Sequence, residues 1–166
     1  MNQNDAQAYN VSGNRNLNKG NFDQAVADYT QAISLNPNDA EVFLGRGIAY
    51  YGIGVTCNDI SSYDRAIGDL DQALKLNPDF AAAYPIRGSI YGNKGEYDKA
   101  LEDYNRAIQL NSNDDDAYSG RGWIYVLKKE YDRGIKDLET ALRINPDHPD
   151  ARRSIEEARM LQKTLK

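Results

Sequence analysis

The sequence is short of the residues that carry most enzyme chemistry. In 166 positions it has one cysteine (Cys57), one histidine (His148) and one tryptophan (Trp123). A single cysteine forms no internal disulfide. With no second histidine or cysteine there is no zinc-type ligand set. No apolar run approaches the ~18 residues of a membrane span. Cations are in the minority: 20 Lys and Arg face 25 Asp and Glu, giving a net charge of −5 and a pI near 4.9. That balance argues against a nucleic-acid backbone or an anionic membrane surface as the main partner, since both recruit Lys and Arg. The first residues, MNQNDAQAYN, lack the basic and apolar regions of a secretory signal. A cytoplasmic location is therefore expected, unless a leader has been removed.

What the chain has in excess is tyrosine and glycine: 12 Tyr and 13 Gly against 3 Phe and 2 Met. The excess comes from repetition. Gly13, Gly47, Gly88 and Gly122 open four registers spaced 34, 41 and 34 residues apart. Two further columns hold Ala25, Ala66, Ala100, Gly134 and Ala32, Ala73, Ala107, Ala141. Each register closes at Pro37, Pro78, Ser112 or Pro146. An aromatic stands four residues before each glycine (Tyr9, Phe43, Tyr84, Tyr118), and a tyrosine three after it in three registers (Tyr50, Tyr91, Tyr125). That i, i+4, i+7 spacing puts them on one face of a helix, with a small residue between them where a second helix can approach. The second helix has its own stripe, for example Tyr97, Ala100, Leu101, Tyr104, Ala107 and Ile108. Asn-Pro then stops it, because the residue before proline disfavours helical backbone. Hairpins this short cannot bury an apolar face alone and must stack.

These columns resemble the tetratricopeptide repeat over residues 6–148, nearly the whole chain. Asn16 for tyrosine, Gly134 for alanine and Ser112 for proline are local departures, expected to weaken single contacts. The resemblance implies an all-α fold, an α-solenoid of antiparallel helix hairpins in a right-handed superhelix. One domain is expected over 1–166: repeats at 6–39, 40–80, 81–114 and 115–148, then a capping helix over 149–166. That last segment carries Ala151, Ile155, Ala158 and Leu165 on one stripe, with Pro149 and Asp150 at its start and Lys163 and Lys166 at its end.

Arg46, Arg87 and Arg121 precede three of the glycines, and Asp28, Asp69, Asp103 and Asp137 lie in the second helices. These columns sit among core positions, so the charges are expected to pair. Pairing within a repeat would leave Asp28 alone, since Ser12 stands at the arginine position of the first repeat; pairing each Asp with the Arg of the next repeat leaves no charge alone. The expected ladder is Asp28–Arg46, Asp69–Arg87, Asp103–Arg121, and Asp137 with Arg152 or Arg153.

An enzyme reading finds no support. The acidic run Asp114, Asp115, Asp116 has neither the glycine nor the closing glutamate of a calcium loop, and reads better as helix capping. His148 lies in a helix-to-helix connection. No catalytic residue, metal site or cofactor is expected.

The resemblance further implies that the first helices line a concave groove for a peptide or an extended partner segment. The first-helix positions outside the core stripe are Asn10, Asn14, Leu17 and Asn18; Leu44, Ile48 and Tyr51; Pro85, Ser89 and Asn93; and Ser119, Trp123, Val126 and Leu127. The binding residues expected among them are Asn10, Asn14, Asn18, Leu44, Ile48, Tyr51, Ser89, Asn93, Trp123 and Leu127. Trp123 has two readings, an exposed anchor for a ligand or a side chain packed by the capping helix. Family members that hold chaperone C-terminal tails clamp the carboxylate with Lys, Asn and Arg. Here Asn14 fits, but Asn10, Gly45, Ala82 and Ile86 replace the rest, so no carboxylate clamp is expected. The function expected is a non-enzymatic protein-interaction module. The alternative is a scaffold that self-associates, as a homodimer, through an uncapped N-terminal hairpin.

One interval breaks the rhythm. From glycine to the second helix's first aromatic is 9 residues in three repeats, as from Gly88 to Tyr97, but 16 from Gly47 to Tyr63. The 7-residue insertion lies inside the second hairpin. Gly52 and Gly54 suggest an early end to its first helix. Asn58 or Asp59 suggests an early start to the second, about one turn longer than its siblings. Between them a short loop near 54–58 would expose Cys57.

Overall fold

In a computed structural model that describes residues 3–164, nine α-helices and no strand are found among the described residues. They run α1 Gln3–Asn18, α2 Phe22–Leu35, α3 Ala40–Cys57, α4 Ile60–Leu76, α5 Ala83–Asn93, α6 Tyr97–Leu110, α7 Asp115–Leu127, α8 Tyr131–Ile144 and α9 Ala151–Thr164. The chain divides into two compact units, Met1–Ala83 and Tyr84–Lys166.

In the first unit, α1 and α2 form one hairpin and α3 and α4 another, with α2 packed on α3 and α1 touching α3. Its core gathers Ala25, Tyr29, Ala32, Val42 and Ala49, flanked by Leu17, Val26 and Ile33. In the second unit, α6 packs on α7, α7 pairs with α8, and α9 lies against α8 and α7. One of its clusters holds Ala100, Tyr104, Ala107, Ala117 and Ile124. The other holds Val126, Leu138, Ala141, Ala151, Ile155 and Ala158. Ala151, Ile155 and Ala158 are thus buried as the stripe of a capping helix requires. Leu165 and Lys166 lie outside the described residues.

Each second helix ends on asparagine rather than on proline. Asn36, Asn77, Asn111 and Asn145 have extended backbone, yet their N–H groups still reach Ala32, Ala73, Ala107 and Ala141. Their side-chain oxygens accept from the backbone two residues on, at 3.3, 3.2, 3.1 and 3.2 Å. Ser112 therefore loses little by replacing proline, because Asn111 makes the turn. Three connections carry aspartate caps: Asp39 accepts from Glu41 and Val42, Asp59 from Ser61, and Asp114 from Ala117 at 2.8 Å. Burial pushes the Asp114 carboxyl above its ordinary range.

The insertion departs from expectation. The first helix does not end at Gly52 or Gly54; α3 runs through both to Cys57 and closes on Asn58, in the left-handed region at φ 52°. α4 starts at Ile60, capped by Asp59, and at 17 residues exceeds its 14-residue siblings by nearly a turn, as expected. Cys57 is exposed. The two glycines act through space rather than by stopping the helix. A Cβ at Gly52 would lie 2.6 Å from the Phe22 ring, and one at Gly54 would lie 2.5 Å from the Tyr63 ring. The extra turns are packed against aromatics of both hairpins of the unit.

Candidate functional site

The first helices are positioned by a ring-in-notch device. Tyr29, on α2, is fully buried. Its ring lies between α1 and α3, where a Cβ at Gly13 would meet it at 2.7 Å and one at Gly45 at 2.5 Å. Its hydroxyl donates to Asn14 Oδ1 at 2.8 Å. Burial, with Asp28 alongside, pushes the Tyr29 hydroxyl up to about 12. Tyr104 repeats the device in the second unit, against Gly88 and Gly120. Ser89 Oγ donates to the Pro85 carbonyl at 2.9 Å, so the Tyr104 hydroxyl donates to Ser89, also at 2.9 Å. The second and fourth hairpins carry Leu70 and Leu138 in this column, each close to the glycine of its own first helix. Gly134, expected to weaken a contact, instead makes one possible: a Cβ there would lie 2.7 Å from both the Gly122 carbonyl and Val126.

The ion pairs overturn the expected ladder. Arg46 forks onto Asp69, Arg87 onto Asp103 and Arg121 onto Asp137, each through Nε and Nη2 at 2.7–2.9 Å. Each pair lies within one hairpin. The premise of the ladder was that Asp28 would otherwise be orphaned. It is not, because Ser12 Oγ and Asn16 Nδ2 donate to its Oδ2 at 2.7 and 2.8 Å. Asn16 is the residue that departs from the tyrosine of the repeat. The link to the neighbouring repeat is made by the guanidinium's remaining nitrogen: Arg46 Nη1 reaches Thr30 at 3.0 Å and Arg121 Nη1 reaches Asn105 at 2.7 Å. Hydrogen bonds to Asp69 and Asp137 hold these two guanidiniums still further above their ordinary range.

The expected binding residues fall into groups. On α1, Asn14 and Asn18 are exposed, while Asn10 is buried and accepts from Asn14 Nδ2 at 3.2 Å. Asn10 therefore presents no open face of its own and is tied to Asn14. On the adjacent α3, Leu44, Ile48 and Tyr51 are half-buried. In the second unit Asn93 is exposed and Ser89 half-buried on α5. On α7, Leu127 is 40% exposed, while Trp123 is half-buried against the cluster that includes Ile155 and Ala158 of α9. Ser119 and Val126 belong to the buried set instead.

Among the described residues one group has metal-like geometry, Asp115, Asp116 and His148, with ligand atoms within 4.8 Å of one another. His148 is buried, and its Nδ1 accepts from the backbone N–H groups of Asp150 and Ala151, at 3.3 Å each. That use of Nδ1 leaves the proton of a neutral imidazole on Nε2, which lies 3.4 Å from Asp116 Oδ1. The lone pair a cation needs is already committed to the start of α9. Asp115 accepts from Asn145 at 2.7 Å. The group joins the fourth hairpin to the capping helix.

Stacked helix hairpins, each closed by small residues and each carrying an internal Arg–Asp fork or its Ser–Asn substitute, define an α-solenoid. Repeat models confirm the kind. A "TPR repeat" model matches residues 13–54 and 88–129, and "Tetratricopeptide repeat" models match 48–80 and 115–148. The chain belongs to the tetratricopeptide repeat family, whose fold is a protein-interaction scaffold. Among solved structures it is similar to the MamA protein, at 30% identity, covering 96% of this chain and 85% of that one, with a TM-score of 0.77. It is also similar to TTC0263, a thermophilic TPR protein in Thermus thermophilus, at 21% identity, 94% and 82% coverage and a TM-score of 0.80. A third likeness is to the first TPR of Spaghetti (RPAP3), bound to the HSP90 peptide SRMEEVD, at 23% identity, 75% and 93% coverage and a TM-score of 0.68. The last two likenesses bear on the fold alone. No curated protein matches the chain by sequence. No helix among the described residues is long and apolar enough to cross a membrane.

Proposed function

We propose that the chain is a non-enzymatic module that binds an extended polypeptide segment along its first helices. The observation that carries this reading is the pairing of two faces in the first unit. Exposed Asn14 and Asn18 lie on α1, and the half-buried apolar row Leu44, Ile48 and Tyr51 lies on α3, which α1 touches. Side-chain amides suit the backbone of an extended peptide, and the apolar row suits its alternate side chains. Ser89, Asn93, Trp123 and Leu127 offer the same mixture in the second unit. A tail-carboxylate clamp like that of chaperone-binding relatives is disfavoured at Gly45, where the Tyr29 ring leaves no room for an asparagine. The reading treats 1–166 as one domain, which a single cooperative unfolding transition tests.

A random peptide library panned against the chain, with bound peptides mapped by backbone amide shifts, tests the site. Shifts are expected to gather on α1, α3, α5 and α7. Shifts gathered on α2, α4, α6 and α8 would refute it. A change in Trp123 emission at saturation would mark that residue as an anchor; unchanged emission would leave it to packing. A second reading, self-association through the first hairpin, is favoured by the exposed Tyr9 and Val11, at 39% and 47%. Light scattering that stays at monomer mass with rising concentration would dismiss it.

A further inference from the structure

Three hairpins answer one question in the same way, and the first leaves it open. In each of the three, an arginine lies over the aromatic three residues before it and forks onto an aspartate of the second helix. The guanidinium-to-ring distances are 5.9 Å for Arg46 and Phe43, 5.8 Å for Arg87 and Tyr84, and 5.4 Å for Arg121 and Tyr118. The first hairpin keeps the ring, Tyr9, and the carboxylate, Asp28, but has Ser12 where the arginine belongs. At this position lies an open cleft of about 520 Å³, lined by Asp5, Ala8, Tyr9, Ser12, Asp28, Gln31 and Leu35. Tyr9 is 39% exposed, against 8% for Phe43 in the same column. Both hydrogen bonds to Asp28 go to Oδ2; among the described residues Oδ1 receives none.

We propose that this cleft is a guanidinium-binding site that receives an arginine side chain from a protein partner. A carboxylate edge and an aromatic face are the two surfaces a planar guanidinium recognises, and the chain's own Arg46, Arg87 and Arg121 show the pose. Asp28 Oδ1, with both lone pairs open, accepts the paired N–H groups of the guanidinium, while Oδ2 is held in place by Ser12 and Asn16. Tyr9 takes the plane, and Leu35 takes the aliphatic stem. Asp5 adds a second negative charge at the same cleft. Lysine offers neither the fork nor the stacking plane. The site is separate from the first-helix groove, and neither reading depends on the other.

The test titrates the full chain with three blocked tripeptides, Gly-Arg-Gly, Gly-Lys-Gly and Gly-citrulline-Gly, followed by NMR. The Asn16 side-chain amide reports the Asp28 carboxylate directly. The arginine peptide is expected to shift Asn16, Ser12 and Asp28 with a Kd on the order of 1–10 mM. The lysine and citrulline peptides are expected to bind at least about tenfold more weakly, having lost a charge-assisted bond or the charge itself. Ser12→Arg places the siblings' own solution in the cleft. It is expected to stay folded by circular dichroism, to melt higher and to lose the response. Asp28→Asn is expected to lose the response without the gain in melting temperature. Equal binding of the lysine peptide, no response of Asn16 to the arginine peptide, or an undiminished response in Ser12→Arg would each overturn the proposal.

Discussion

Gly45→Ala tests whether the ring-in-notch device orders the first unit. The added Cβ would lie 2.5 Å from Tyr29 Cζ and 2.8 Å from its Cε1 and hydroxyl oxygen. Unstrained carbon contacts need about 3.5 Å or more, so the overlap is about 1 Å. The ring has little room to retreat, because Gly13 of α1 also borders it, and a Cβ there would lie 2.7 Å away. Overpacking of this kind costs about 1–3 kcal/mol. Any rotation that relieves it loosens the 2.8 Å bond to Asn14, worth about 1 kcal/mol. Against this stands about 1 kcal/mol gained from alanine's helix propensity. The net expectation is a loss of about 2 kcal/mol. In a Tyr29→Leu background, the residue that the second and fourth hairpins use, the clash is gone. Gly45→Ala should there become stabilising by up to about 1 kcal/mol, the propensity gain alone. Urea denaturation of the four proteins, followed by far-ultraviolet circular dichroism, measures the cycle. Equal destabilisation by Gly45→Ala in both backgrounds would refute the device.

Three further outcomes are expected. Gly20 and Gly95 adopt φ of 75° and 76° in their turns, and the fourth hairpin places Lys129 there at φ 64°. Lys129→Gly should therefore stabilise by up to about 1 kcal/mol, the left-handed penalty less glycine's entropy; a lower melting temperature would contradict this. Arg46→Leu leaves the Asp69 carboxylate, 8% exposed, without its fork and should cost about 3–5 kcal/mol. Adding Asp69→Leu should recover much of that loss, and a purely additive double mutant would argue against the pair. At high pH the unfolded Tyr29 hydroxyl ionises near pH 10 while the folded one holds its proton to about 12, so the folded state binds the extra proton and stability falls across that window. Wild type should therefore lose more stability than Tyr29→Phe between pH 10 and 12; parallel curves would contradict it.

The helices were legible because their signals are local. Four glycine registers, their alanine columns and the Asn-Pro stops needed only spacing to be read. The insertion misled for the same reason. Gly52 and Gly54 look like helix stops along the chain, whereas their role is to admit Phe22 and Tyr63, residues 30 and 9 positions away. The ion pairs failed on an assumption about Asp28. Column logic treated Ser12 as the absence of an arginine and Asn16 as a weakened tyrosine, and did not count them as two hydrogen-bond donors. A signal for the ring notches was present in the sequence. Tyr29 and Tyr104 occur in the repeats whose successors bring Gly45 and Gly120, two residues before the central glycine. Asn10, Ser119 and Val126 stand outside the core stripe by spacing and yet are buried, a difference that spacing alone does not resolve.

Because each Arg–Asp fork closes inside its own hairpin, a hairpin could be duplicated or removed without stranding a buried charge. The tyrosine notches impose a different rule, one of succession. A hairpin bearing Tyr29 or Tyr104 tolerates as its follower only one that begins with a glycine in the Gly45 or Gly120 column. Ile86 stands in that column in the third hairpin, so the third could not directly follow the first. The order of the hairpins is thus written in sterics, while their number is left free by electrostatics, and chimeras built by shuffling hairpins should succeed or fail along that line.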